Sequence, residues 1–219
     1  MATLTITERP TGRSRPSAAS RLVNTVIDPL HAFGSLDEHS PWLLALVATI
    51  VLRFGSLFVF YHPAVTPLKV IGGVAFQILT VVPAVLIAAI AVWVAGCAWR
   101  CRVRWRAAVT VTMHAYFAFT LATVVAASVA GALLPASVDV DLRHPPFTNF
   151  SAVGTDSLGP VLRSMLATLD VRWAYALGIV WLGLRACAPP EVRGRAGHVV
   201  ATILAARVVL AVGSALFSR

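Results

Sequence analysis

The chain has 219 residues, of which 58% are hydrophobic and 12% charged, with a net charge of +9 and a mean hydropathy of +0.81. A soluble domain carries about 25% charged residues, so this composition excludes an ordinary water-soluble fold and sets most of the chain against lipid or against other spans. The basic balance does not read as nucleic-acid binding either, because the arginines are dispersed at the ends of apolar stretches with no aromatic platform or recognition motif between them.

In chain order, Met1 to Ser20 is rich in Thr, Ser, Pro and Arg, which predicts a disordered basic tail over 1–20. No apolar core precedes a small-residue cleavage site there, so no signal peptide is expected. Residues 21–41 form a cytoplasmic amphipathic segment in which Leu22, Val26, Leu30, Phe33 and Leu36 approximate a helical stripe. Within it, Asp28-Pro29 starts a new helix with Asp28 as cap. Such a segment lies on the inner membrane surface or packs under the bundle.

Five apolar stretches follow: 42–61, 76–99, 107–134, 171–188 and 198–217. Each approaches the roughly 20 residues that a hydrocarbon layer demands. Ser40 and Pro41 mark the entry to the first, while Trp42, Tyr61, Trp99 and Trp173 fall at span ends, where amphipathic rings prefer the headgroup level. Gly72-Gly73 and Pro83 offer one break in the second stretch. The fourth is short and interrupted by Gly178 and Gly183. Between the third and fourth lies the longest loop, where Leu158, Val161, Leu162, Met165, Leu166 and Leu169 predict an outer surface helix. The fold class is therefore an all-α integral membrane protein: a five-helix transmembrane bundle over 42–217 with N-terminal and outer-loop interfacial helices.

Lys and Arg counts orient it. The tail, the loop after the second stretch and the loop after the fourth together hold eleven arginines, against five basic residues on the opposite face. The arginine-rich side is expected in the cytoplasm, with the N-terminus inside and the C-terminus outside. Arg100, Arg102, Arg104 and Arg106 are candidate contacts for anionic lipid at that inner face, or a plain topology signal.

Around the first stretch, Ile27-Asp28-Pro29-Leu30-His31-Ala32-Phe33 and Leu36-Asp37-Glu38-His39-Ser40-Pro41-Trp42 resemble the entry segment of bacterial members of the Yip domain family, relatives of the Ypt/Rab-interacting membrane proteins. Tyr116 in the third stretch and Trp181-Leu182-Gly183-Leu184 in the fourth are compatible with it, and the resemblance covers about residues 21 to 217. It implies five spans with a cytoplasmic N-terminus, which the charge count reaches separately. The acidic, aromatic and glycine-rich entry motif and the Gly-Tyr-x-x-x-Pro element of the eukaryotic members are absent, so GTPase binding does not carry over. A ratio of 17 arginines to one lysine, with much Ala and Val, points to a GC-rich bacterial genome and hence to the bacterial inner membrane.

No catalytic constellation emerges, and neither an enzyme nor a cofactor is expected. The six histidines (His31, His39, His62, His114, His144, His198) lack metal-ligand spacing, and Asp139-x-Asp141 is a commonplace loop pair. Cys97, Cys101 and Cys187 fall on the reducing side, the first two on one helical face, so free thiols are expected, as ordinary interfacial residues rather than as sites of reversible acylation. Arg53 and Arg207 sit near the middle of their stretches, where each costs about 3 kcal/mol, which the surrounding Leu, Ile, Val and Phe offset. No acid lies in any span core, so Gln77, Tyr116, Thr112, Thr120, carbonyls near Pro83 or a bound anion are their expected partners. Arg53, Arg207, Gln77 and Tyr116 thus form a candidate anion or lipid site, unless the arginines simply snorkel or pack against carbonyls. Two functions follow: a non-enzymatic Yip-like protein that organises the bilayer or recruits partners, as a homo-oligomer or with another membrane protein, or a small permease or anionic-lipid handler using the two arginines.

Overall fold

The structure, a computed structural model, describes residues 17–34, 42–61, 66–133, 148, 159, 162, 166 and 170–217. Among them the chain is helical: α1 (Ala18–Ile27), α2 (Pro29–Gly34), α3 (Trp42–Tyr61), α4 (Pro67–Ala98), α5 (Trp105–Leu133), α6 (Val171–Cys187), a 3-10 turn (Pro190–Arg195) and α7 (Ala196–Phe217). Three of these helices are long and apolar enough to cross a membrane: Pro67–Ala98, Trp105–Leu133, and Pro190–Phe217, in which the 3-10 turn leads into α7. Their outward faces stay apolar, as Ile71, Leu79, Ile87, Val209 and Leu210 show, which in water would be a large exposed patch and in lipid is the ordinary state.

Helix boundaries track the chemistry of their first residues. Ser17 caps α1 by accepting the Ser20 N–H, and Thr66 caps α4 ahead of Pro67 by accepting that of Lys69. The second stretch thus begins well before Phe76, because a cap, a proline without a donor and an apolar run extend it. α4 runs unbroken through Gly72, Gly73 and Pro83, where the sequence had suggested a break. In an apolar setting packed neighbours hold a helix across such residues. Gly73 also serves as a contact, since a Cβ there would lie 2.5 Å from the Phe54 ring on α3.

α5 is the central helix. It packs against α3, α4 and α6, and two buried clusters flank it. One joins Ala45, Val81, Val85, Met113 and Phe117 across α3, α4 and α5. The other joins Phe33, Val111, Ile179, Leu184 and Val199 across α2, α5, α6 and α7.

The N-terminal pair is packed along this bundle. α1 begins at Ala18, inside the stretch read as tail, and turns at Asp28, whose N–H donates to the Asn24 carbonyl; α2 then starts at Pro29. α2 lies on α6, with Phe33 only 2% exposed beside Val111 and Gly183 and edge-on to the His114 ring at 5.8 Å. At the turn, the Tyr175 hydroxyl donates to the Val26 carbonyl at 2.7 Å. Tyr175 is the fifth residue of α6, about 18 Å along that helix from its Cys187 end, and Phe33 meets the same helix at Gly183, about 12 Å nearer that end. Its stripe buries Ala32 and Phe33 fully and Leu22 and Val26 partly, and leaves Val23 and Ile27 outside.

Several expectations fall outside the described residues: the tail to 16, the Ser40-Pro41 entry, His39, His62, His144, Asp139-x-Asp141, and the outer-loop helix except Leu162 and Leu166, which are helical.

Candidate functional site

Arg53 and Arg207 each have their own partner. The Arg53 Nη1 donates to the Tyr116 hydroxyl at 2.8 Å, which ties α3 to α5 halfway along both helices. Arg207, on α7, lies over the Trp173 ring of α6, its Cζ 3.7 Å from the centroid. An indole face supplies negative potential worth up to about 2 kcal/mol to a desolvated guanidinium. Trp173 is therefore turned inward onto Arg207 and Phe119 rather than out to the headgroup level expected of it. Indoles serve both roles, and the nearby cation selects this one.

Between the two arginines run three rings. Tyr116 and Phe119 have centroids 6.4 Å apart, and Phe119 and Trp173 4.7 Å. Arg172 joins this seam from α6, its Cζ 5.1 Å from the Phe119 centroid, while its Nη1 donates to the Thr123 hydroxyl at 3.0 Å. Its partner is Asp170, the N-cap of α6: Nε donates to both carboxylate oxygens at 3.0 Å, Nη2 to Oδ2, and the backbone N–H of Arg172 to Oδ1 at 2.8 Å. Both side chains of this ion pair are buried.

Sequence reasoning passed over this pair, counting Arg172 and Asp170 among the outer-face charges. The available signal was the acid in a cap position two residues before an arginine, at the start of an apolar helix. Gln77 and Tyr116 divide: Tyr116 meets Arg53, whereas Gln77 is buried on α4 with its Oε1 among the buried polar atoms that have no partner. The Arg207 Nε is another. Thr112 and Thr120 are buried on α5 and carry no bond to either arginine among the described residues.

Nothing in the seam pairs a nucleophile with a base. The one buried imidazole among the described residues, His114, points Nδ1 at the Thr110 carbonyl at 2.8 Å, so that nitrogen carries the proton and the ring is held within its own helix. Among the described residues no three His, Cys, Asp or Glu side chains converge as a metal site.

At the other end of the bundle the loops after α4 and α6 meet. α4 closes with the Arg100 N–H on the Cys97 carbonyl at 3.0 Å and the Cys101 N–H on the Gly96 carbonyl at 2.8 Å. That is the Schellman pattern, in which the residue at Arg100 takes a left-handed conformation and is usually glycine. Arg100 and Arg102 both have φ of 54°. Because α4 ends at Ala98, Cys101 does not share a helical face with Cys97; it is buried while Cys97 is exposed. Arg195 Nη1 reaches the Trp99 and Arg100 carbonyls at 3.4 Å each. A cavity of about 510 Å³ opens between Arg100, Arg102, Pro189, Glu191, Val192 and Arg195. Of the four arginines singled out in the sequence, Arg100 and Arg102 line it, while Arg104 and Arg106 do not.

No family model, curated protein or solved structure matches this chain. Its function therefore has to be argued from the geometry above.

Proposed function

We propose that this chain is a non-enzymatic multi-pass membrane protein of the Yip type that organises the bilayer. It crosses the bacterial inner membrane five times, through α3 to α7, with its N-terminus in the cytoplasm and its C-terminus outside. The observation that supports this reading is the α1–α2 hairpin, fastened to α6 at Tyr175. In a five-span frame the hairpin enters and leaves on the cytoplasmic side, with its turn at Tyr175 about 18 Å along α6 from the cytoplasmic end. Two helices, each about 10 Å across, then widen the protein chiefly toward its cytoplasmic side. A body wider in one leaflet favours a membrane in which that leaflet is convex.

Reconstitution into small and large vesicles tests this. In small vesicles more chains should insert with the arginine loops outward, read as loops open to external trypsin, and a variant lacking residues 17–34 should lose the bias. Equal fractions in both sizes would overturn the reading.

A second reading, an anionic-lipid handler or small permease, draws on the unpartnered Arg207 Nε and Gln77 Oε1. It requires that Arg53→Leu and Arg207→Leu abolish retained anionic lipid or anion flux in vesicles; unchanged flux and retention would end it.

A further inference from the structure

We infer that the cavity between the α4–α5 loop and the 3-10 turn binds a phosphate group, as carried by an anionic lipid headgroup or by a free phosphate. The inference rests on the proposed reading only in placing this end of the bundle at the inner membrane surface.

The charge in the cavity is unbalanced. Three arginines, Arg100, Arg102 and Arg195, line it with one acidic residue, Glu191. Among the described residues the side chains of Arg100 and Arg102 have no hydrogen bond or ion pair, so Glu191 is not paired with either, and one acid faces three arginines. Arg195 spends one nitrogen on two carbonyls and is fixed thereby. Planar guanidiniums present paired N–H groups in the fork that phosphate oxygens accept, which lysine does not.

The backbone gives a separate argument. Left-handed conformation costs a residue with a Cβ, and the Schellman position at Arg100 is the one glycine fills elsewhere. Here two such positions, Arg100 and Arg102, both carry arginine and both face one cavity. Non-glycine residues held in such conformations cluster at functional sites.

The wall of the site also suits a lipid. An adjoining recess of about 360 Å³ shares Arg100 and Arg195 and adds Trp99 and His198. Trp99 stacks on the His198 ring at 4.8 Å and donates Nε1–H to the Thr202 hydroxyl at 2.9 Å, an indole anchored at a helix end as interfacial rings are. An acyl chain leaving this recess meets the exposed apolar flank of α4 and α7, which pack together.

The test uses the full chain in phosphatidylcholine nanodiscs, whose two identical faces make binding independent of topology. With fluorescent phosphatidic acid added, wild type should bind saturably, and Arg100→Gly/Arg102→Gly should weaken binding about tenfold or more, the loss expected for charge-assisted contacts. Glycine suits both backbone positions, so the melting temperature of that variant should hold or rise, separating lost binding from lost fold. Arg104→Ala/Arg106→Ala, outside the cavity, should bind as wild type. Inorganic phosphate identifies the source: displacement of the lipid assigns the site to free phosphate, and none assigns it to the headgroup. Unchanged binding in the glycine variant, or an equal loss on removing Arg104 and Arg106, would overturn the inference, the latter by showing diffuse charge attraction.

Discussion

Asp170 and Arg172 form a buried ion pair whose balance can be measured. Removing one partner strands a charge, at about 3–5 kcal/mol, whereas replacing both by well-packed neutral groups is often close to neutral. Asp170→Asn should therefore lower the melting temperature in detergent more than Asp170→Asn/Arg172→Met; the reverse order would mean that the carboxylate is dispensable. Tyr116→Phe should cost about 1–3 kcal/mol by leaving the Arg53 Nη1 without its acceptor. Cys101 gives a pH prediction. Burial pushes its thiol pKa up and the Arg195 charge only partly opposes this. The thiolate is the reactive form, so maleimide should label exposed Cys97 well before Cys101 at neutral pH. The Cys101 rate should still climb above the ordinary thiol range; earlier labelling of Cys101 would contradict its burial. At this scale the sequence disclosed what violates a pattern. Arg53 and Arg207 stand out because a charge in an apolar run is costly. Asp170 and Arg172 do not, because at the edge of a run charge is cheap, and nothing in linear order shows that Thr123 and Phe119 will cover them.

Small residues set how closely the helices approach. A Cβ on Gly183 would sit 2.8 Å from both methyls of Val111 and 3.3 Å from the Phe33 ring, where α2, α5 and α6 converge. Gly183→Ala should cost about 1–3 kcal/mol as an overpacked core does, and Val111→Ala should relieve part of that loss when the two are combined. No relief would show that the contact does not limit packing. Tyr175→Phe removes the bond at the hairpin turn without changing ring volume, so backbone amides from Ala18 to Gly34 should exchange faster while those of α5 do not. Hydropathy placed the ends of α5, α6 and α7 within a few residues, since the apolar run is itself the helix. It missed the start of α4, fixed by the Thr66 cap, and left open whether α1 and α2 lie on the membrane surface or against the bundle. An amphipathic stripe says only that one face is buried; whether lipid or protein buries it is decided by Gly183 and Tyr175, far along the chain.

For the molecule as a whole, the arginine asymmetry makes a sidedness prediction. A reporter fused after the last residue should be active only outside the cytoplasm, and one fused in the α4–α5 loop only within it. Cytoplasmic activity at the C-terminus would mean that α6 or another short helix does not cross. The hairpin also orders events in time. Val26 is made early, and the hydroxyl that holds its carbonyl belongs to a residue 149 positions later. At about 5–20 residues per second of synthesis, that interval is on the order of ten seconds. Through it, α1 can pack on α3 and α5, but α2 lacks its main neighbour α6, and the apolar side that faces α6 needs the membrane surface or a chaperone as temporary cover. A chain released before α6 emerges should therefore leave α1 and α2 without the Tyr175 bond, and that segment should be the more readily cut by protease.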